Sequence, residues 1–117
     1  MIALLQSWLT DLGLGWFDLK MLLERSLAFD SDALHVGAGV AVQLLAAAVL
    51  RTSVGSTKPW LVVLALELAN ETVDLWVEKW PDPAMQYGEG LKDLLLTLAL
   101  PTLLLIVSRK WPKLLRR

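Results

Sequence analysis

The chain has 117 residues, 56% of them apolar, with 11 Lys and Arg against 12 Asp and Glu, a formal net charge of −1 and no cysteine. A single domain is the limit at this length. So apolar a composition excludes disorder and would force a water-soluble fold of this size to expose much of its apolar surface. The balanced charge argues against a nucleic-acid partner, and the lack of cysteine excludes disulfides, thiol catalysis, zinc–thiolate sites and iron–sulfur clusters. Six Trp and a mean hydropathy of +0.53 point instead to an integral membrane protein, because Trp gathers at membrane interfaces. The competing reading is a soluble helical bundle with unusually apolar helices.

Residues 1–30 read as an amphipathic N-terminal segment. Asp11, Asp18 and Glu24 interrupt its apolar pattern and no basic start precedes it, unlike a signal peptide. Ile2, Leu5, Trp8, Leu9 and Leu12 share one helical face. Gly13 and Gly15 are expected to break that helix. Trp16, Leu19, Leu22, Leu23 and Leu27 then form a second stripe, with Lys20 and Glu24 spaced to pair on its polar side. Such helices lie flat in the interface or pack on the remaining helices or on another subunit.

Residues 31–108 read as a three-helix transmembrane domain, which makes the expected fold an all-α membrane protein with three transmembrane helices preceded by amphipathic interfacial helices. The spans run about 34–50, 60–76 and 91–107, each at the short end of what crosses a bilayer. Asp32, preceded by Ser31, is the expected cap of the first. Thr52 to Thr57 form a turn, and Pro59 opens the second span where its missing N–H costs nothing. Pro81 to Gly90 read as a loop, and Pro101 is expected to kink the third span. Residues 109–117 are a basic tail suited to anionic lipid. Three spans would put seven basic residues (Arg51, Lys58, Arg109, Lys110, Lys113, Arg116, Arg117) on one side against four (Lys20, Arg25, Lys79, Lys92) on the other. The positive-inside rule then places the C-terminus in the cytoplasm and the N-terminus outside a bacterial inner membrane.

The chemistry-bearing residues gather toward the outer side. Asp32 and His35 open the first span. Glu67, Asn70, Glu71 and Asp74 form one stripe on the second at i, i+3, i+4 and i+7, and Asp93 and Thr97 share a face of the third. Carboxylates facing lipid cost several kcal/mol, so these faces should turn inward and pair, with His35 bridging Asp74 or Asp93. Glu67 lies about 13 Å deeper than Trp76 by helical rise, and Gln43 is its expected partner. His35, Glu71, Asp74 and Asp93 offer a weak set of donors for a divalent cation; no other cofactor is indicated.

Asp32-Ala-Leu-His35, Asn70-Glu71-Thr-Val-Asp74 and Lys92-Asp93-Leu-Leu-Leu-Thr97 together resemble the VanZ-like family of membrane proteins, in particular its short YfiM-like branch. The resemblance covers about residues 32–101. Ala33 stands where the family usually has Lys, Val36 where an aromatic is common, and the Arg that larger members often carry between the second and third helices is missing. It implies an envelope role without a settled reaction. Three readings follow. The first is an accessory or structural membrane component, alone in lipid or with other membrane subunits, whose polar cluster locks helices together. The second is a site that binds an envelope lipid headgroup or performs metal-assisted lipid or cell-wall-precursor chemistry. The third is a proton path through Glu67.

Overall fold

A computed structural model describes residues 1–27 and 30–114. It is all-α: α1 (Ile2–Leu27), α2 (Ser31–Leu50), α3 (Thr57–Val77) and α4 (Pro83–Lys110), followed by a short 3-10 turn, Pro112–Leu114. Helices α2, α3 and α4 pack against one another, and α1 packs on α3.

The N-terminal segment is one helix rather than two. A glycine inside a helix costs only about 1 kcal/mol relative to alanine, and Gly13 is used for packing. It is buried against α3, where a Cβ would stand 2.9 Å from Val77 Cγ1 and 3.3 Å from Val73 Cγ1. The cap of α2 is Asp30, not Asp32: its carboxylate accepts from the Ala33 N–H at 2.8 Å, which leaves Asp32 in the first turn. At the other end, Arg51 adopts the left-handed conformation (φ 53°) and closes α2 through N–H bonds to the Ala47 and Ala48 carbonyls. The Ser56 hydroxyl caps α3. The expected loop from Pro81 to Gly90 is largely helical. Asp82 caps α4 by accepting from the Ala84 N–H at 3.0 Å, and Pro83 occupies the first turn, where it needs no donor. Helix α4 then runs unbroken through Pro101.

The expectation of three transmembrane helices is corrected. Two helices, α2 and α4, are long and apolar enough to cross a membrane. Their 20 and 28 residues correspond to about 30 and 42 Å of helix. Helix α3 has the length but not the composition, because Glu67, Glu71 and Asp74 fall within its last eleven residues and Lys58 in its first turn. It packs on both α2 and α4 and returns the chain between them, so those two run in the same direction and α3 lies alongside them at the same depth, its polar stripe held against the other helices, rather than being an apolar span of its own.

Burial runs opposite to that of a water-soluble bundle. Among the described residues, the buried apolar side chains are Ala46, Ala47, Val63, Pro59 and Pro101, whereas Gln43, Glu67, Asp93 and Thr97 are buried polar ones. Leu45, Val49, Leu66, Leu95 and Leu103 are more than half exposed. Only 17% of the apolar stretch of α2, and the same share of that of α4, is buried within the chain.

Small residues and a proline set the α2–α4 contact. Pro101 has no N–H to give to the Thr97 carbonyl one turn earlier. That freed carbonyl faces Gly39 of α2 so closely that a Cβ there would lie 2.1 Å from the oxygen. One turn further along, the Gln43 side chain donates to the Pro101 carbonyl at 3.0 Å. Gln43 therefore bonds α4 and is not the partner of Glu67. At the far end, Arg109 clasps the α2–α3 turn by donating to the Gly55 carbonyl (2.8 Å) and the Thr57 hydroxyl (2.6 Å).

Candidate functional site

Three helices meet at His35. It projects from the second turn of α2, and its Nδ1 lies 3.3 Å from Glu67 Oε1 on α3 and 3.1 Å from the Thr97 hydroxyl on α4. Its Nε2 lies 3.5 Å from Asp93 Oδ2, also on α4. Asp93 and Thr97 are one turn apart, so both reach the ring from the same face. Glu71 stands one turn from Glu67, and His35, Glu67 and Glu71 each bring a donor atom within 4.8 Å of the other two. The approach of Glu71 depends on Gly90, where a Cβ would sit 2.8 Å from Glu71 Oε2. Sequence spacing gave no sign of this role for Gly90, since it comes from packing between α3 and α4.

The other expected members of the cluster lie elsewhere. Asp74 forms an ion pair with Lys20 of α1, and Asn70 Oδ1 accepts from Lys20 Nζ and from the Trp16 indole, each at 2.9 Å. Lys20 thus reaches across to α3 instead of pairing with Glu24 along its own helix. Asp32 is at the exposed rim, where Lys92 bridges it (3.1 Å) to Glu89 (2.8 Å). The metal donor set read from sequence is corrected accordingly: Asp74 leaves it, Asp93 faces the far nitrogen of His35, and Glu67 enters. The deep position of Glu67 made it look isolated, but it is the nearest carboxylate to Nδ1.

A cleft of about 690 Å³ opens beside this cluster. Its lining combines His35, Glu67 and Asp93 with apolar Leu34, Val42 and Leu66, and Trp16 and Lys20 border it from α1. Glu67 is 7% exposed, yet its Oε1 has no hydrogen-bond donor, and the same holds for Asp93 Oδ1. Buried carboxylate oxygens without a donor are costly and call for an explanation.

Glu78 stands just past α3. It ends that helix, its backbone carbonyl accepts from the Gln86 amide at 3.0 Å, and its carboxylate accepts from the Trp80 indole at 3.3 Å. Burial, together with the negative charge of Asp74, pushes its carboxyl above the ordinary carboxylate range. A carboxyl whose pKa is raised in the fold opposes folding once the pH exceeds its unfolded value. Glu78→Gln is therefore expected to raise the melting temperature slightly at neutral pH. The gain should vanish as pH falls below about 4.3, the ordinary glutamate value, where both states are protonated. Melting curves across that range are the measurement.

Comparison with family models, characterised proteins and solved structures finds no match.

Proposed function

We propose that this chain is a small VanZ-like accessory component of a bacterial inner membrane, in which a polar interior fixes the packing of helices whose outer faces meet lipid and neighbouring subunits. The inverted burial carries this reading: polar side chains fill the centre and leucines cover the outside. In lipid, apolar contact does not drive helices together, and interhelical hydrogen bonds and close small-residue contacts take over that task. His35, Gln43 and Gly39 supply both. Of the residues that carry the family resemblance, His35, Glu71, Asp93 and Thr97 gather at one place, while Asn70 and Asp74 turn to Lys20 and Asp32 to Lys92.

The charges support an orientation. Arg51, Lys58, Arg109, Lys110 and Lys113 occupy the end where α2 and α4 finish, and Asp30, Asp32, Asp82, Glu89 and Asp93 the end where they begin. The basic end faces the cytoplasm under the positive-inside rule. Trp60 and Trp111 belong to that end, and Trp76 and Trp80 to the other, as interfacial belts require. The absence of native cysteine gives a clean test. Lys79→Cys should react with a membrane-impermeant maleimide in intact spheroplasts, and Ser53→Cys only after lysis. The reverse pattern refutes the orientation. Release of the chain from membranes by alkaline carbonate refutes membrane insertion.

The cleft favours a second reading, binding of an envelope lipid headgroup. Its lining mixes apolar side chains with His35 and several carboxylates, Glu67, Asp74, Glu78, Glu89 and Asp93 among them, so it suits a cationic headgroup or an anionic one bridged by a metal ion. Native mass spectrometry from mild detergent separates the two: a second protein chain supports the accessory role, and retained lipid the headgroup site.

A further inference from the structure

We propose that His35, Glu67 and Glu71 form a binding site for a first-row divalent cation, with Asp93 holding the imidazole in place. The geometry of His35 is the starting point. With the Nε2 hydrogen turned toward Asp93, Nδ1 presents a lone pair, and 3.3 Å away it faces Glu67 Oε1, which has no hydrogen-bond donor. With this tautomer two acceptors confront each other in a buried place, and either a second ring proton on Nδ1 or a bound cation relieves them; the three converging donors favour the cation. The Thr97 hydroxyl at 3.1 Å can satisfy Nδ1 but leaves Glu67 Oε1 bare.

The donors have the spacing of a coordination shell. Bonds of about 2.1 Å to nitrogen and oxygen set neighbouring donors about 3.4 Å apart in a tetrahedron. His35 and Glu67 are already at that separation, and Glu71 lies within 4.8 Å of both. An imidazole with two carboxylates suits zinc or manganese. A carboxylate on the second ring nitrogen of a metal-bound histidine fixes its tautomer and raises its basicity, which is the position of Asp93.

Charge points the same way. Glu67, Glu71 and Asp93 surround one imidazole, while the nearby ammonium groups are engaged elsewhere, Lys20 by Asp74 and Lys92 by Asp32 and Glu89. A second grouping, Asp32, Glu89 and Asp93, lacks this need because Lys92 sits within it. Three protein donors beside a cleft leave a coordination position open to water or to a ligand oxygen. The inference stands on this geometry and is independent of the accessory role, so failure of either leaves the other intact.

The test uses the full chain in detergent, stripped with chelator and titrated with zinc, manganese or cobalt chloride. Zinc or manganese should raise the melting temperature with one site per chain, and cobalt should give the visible bands of a four- or five-coordinate ion with a nitrogen donor. Glu67→Gln and Glu71→Gln should each weaken binding at least tenfold, His35→Gln should abolish the cobalt bands, and Asp32→Asn should bind like the parent. Asp93→Asn should fold and bind about 10-fold more weakly, the usual effect of losing such a supporting carboxylate. Should a variant fail to fold, competition of zinc against cobalt on the parent chain reads the same site. No binding by the parent chain, or equal binding by Glu67→Gln and Asp32→Asn, overturns the proposal.

Discussion

Gly39→Ala is expected to be among the most damaging single-methyl changes in the chain, costing about 3 kcal/mol or more and sharply lowering yield and melting temperature. The added Cβ would stand 2.1 Å from the Thr97 carbonyl oxygen and 3.0 Å from its carbon, both backbone atoms that no rotamer change can move. Relief requires α2 and α4 to separate. Separation would stretch the Gln43–Pro101 bond and pull His35 away from Thr97 and Asp93, so the loss is cooperative. Gly37→Ala and Gly15→Ala are the controls. Nothing lies within 4 Å of either Cβ, and each should gain up to about 1 kcal/mol of helix propensity. If Gly39→Ala melts like Gly37→Ala, the close α2–α4 packing is wrong.

How such a contact arises shows what a sequence can carry. Pro101 is legible in the sequence as a proline inside a helix, but nothing there singles out Gly39, rather than the open Gly37, as the point of close approach. The joint effect of Gly39 and Pro101 is not legible either, because it depends on the register between two helices 62 residues apart in the chain. The all-α class, the long helices and the inward-facing stripe of α3 were written in apolar periodicity. The extent of the membrane-crossing part was misjudged at α3, where an apolar background hid the weight of Glu67, Glu71 and Asp74. The break at Gly13 was misjudged for a related reason: glycine marks a turn and a close contact equally well, and only the valines of α3 decide between them. The start of α4 was hidden by Pro83, Gly88 and Gly90, which read as loop until the Asp82 cap is seen.

The candidate site was half visible. His35, Asp93 and Thr97 follow from helical spacing and the demand that polar groups face inward. The division of α3 into two functions does not. Its stripe winds around the helix, so Glu67 and Glu71 turn toward His35 while Asn70 and Asp74 turn toward α1. An amphipathic N-terminal helix could have been placed on lipid or on the bundle with equal chemical sense. The choice falls to Lys20, whose ammonium pairs with Asp74 on α3 and also reaches Asn70 there, instead of pairing with Glu24 along its own helix.

Lys20→Met is therefore expected to free α1 from the bundle. The ammonium pairs with Asp74 and shares Asn70 with the Trp16 indole, at side-chain exposures of 25% for Lys20 and 16% for Asp74. Removing it leaves a part-buried carboxylate without its counter-ion, at a cost of about 2 kcal/mol for a charged hydrogen bond of this kind. Asp74→Asn should cost less, since an amide oxygen can still accept from Lys20 and Asn70 remains in place. The bonds from the Trp16 indole to Asn70 and from the Trp76 indole to Thr10, with the packing of Gly13 on Val73 and Val77, are too few to hold a 26-residue helix firmly by themselves. Limited proteolysis in detergent should cut α1 of Lys20→Met faster than that of the parent while sparing α2 and α4. The exchange Lys20→Asp with Asp74→Lys should restore most of the protection, because it rebuilds the pair with its direction reversed. Protection unchanged in Lys20→Met would mean that apolar contact alone docks α1 and that the ion pair only decorates the seam.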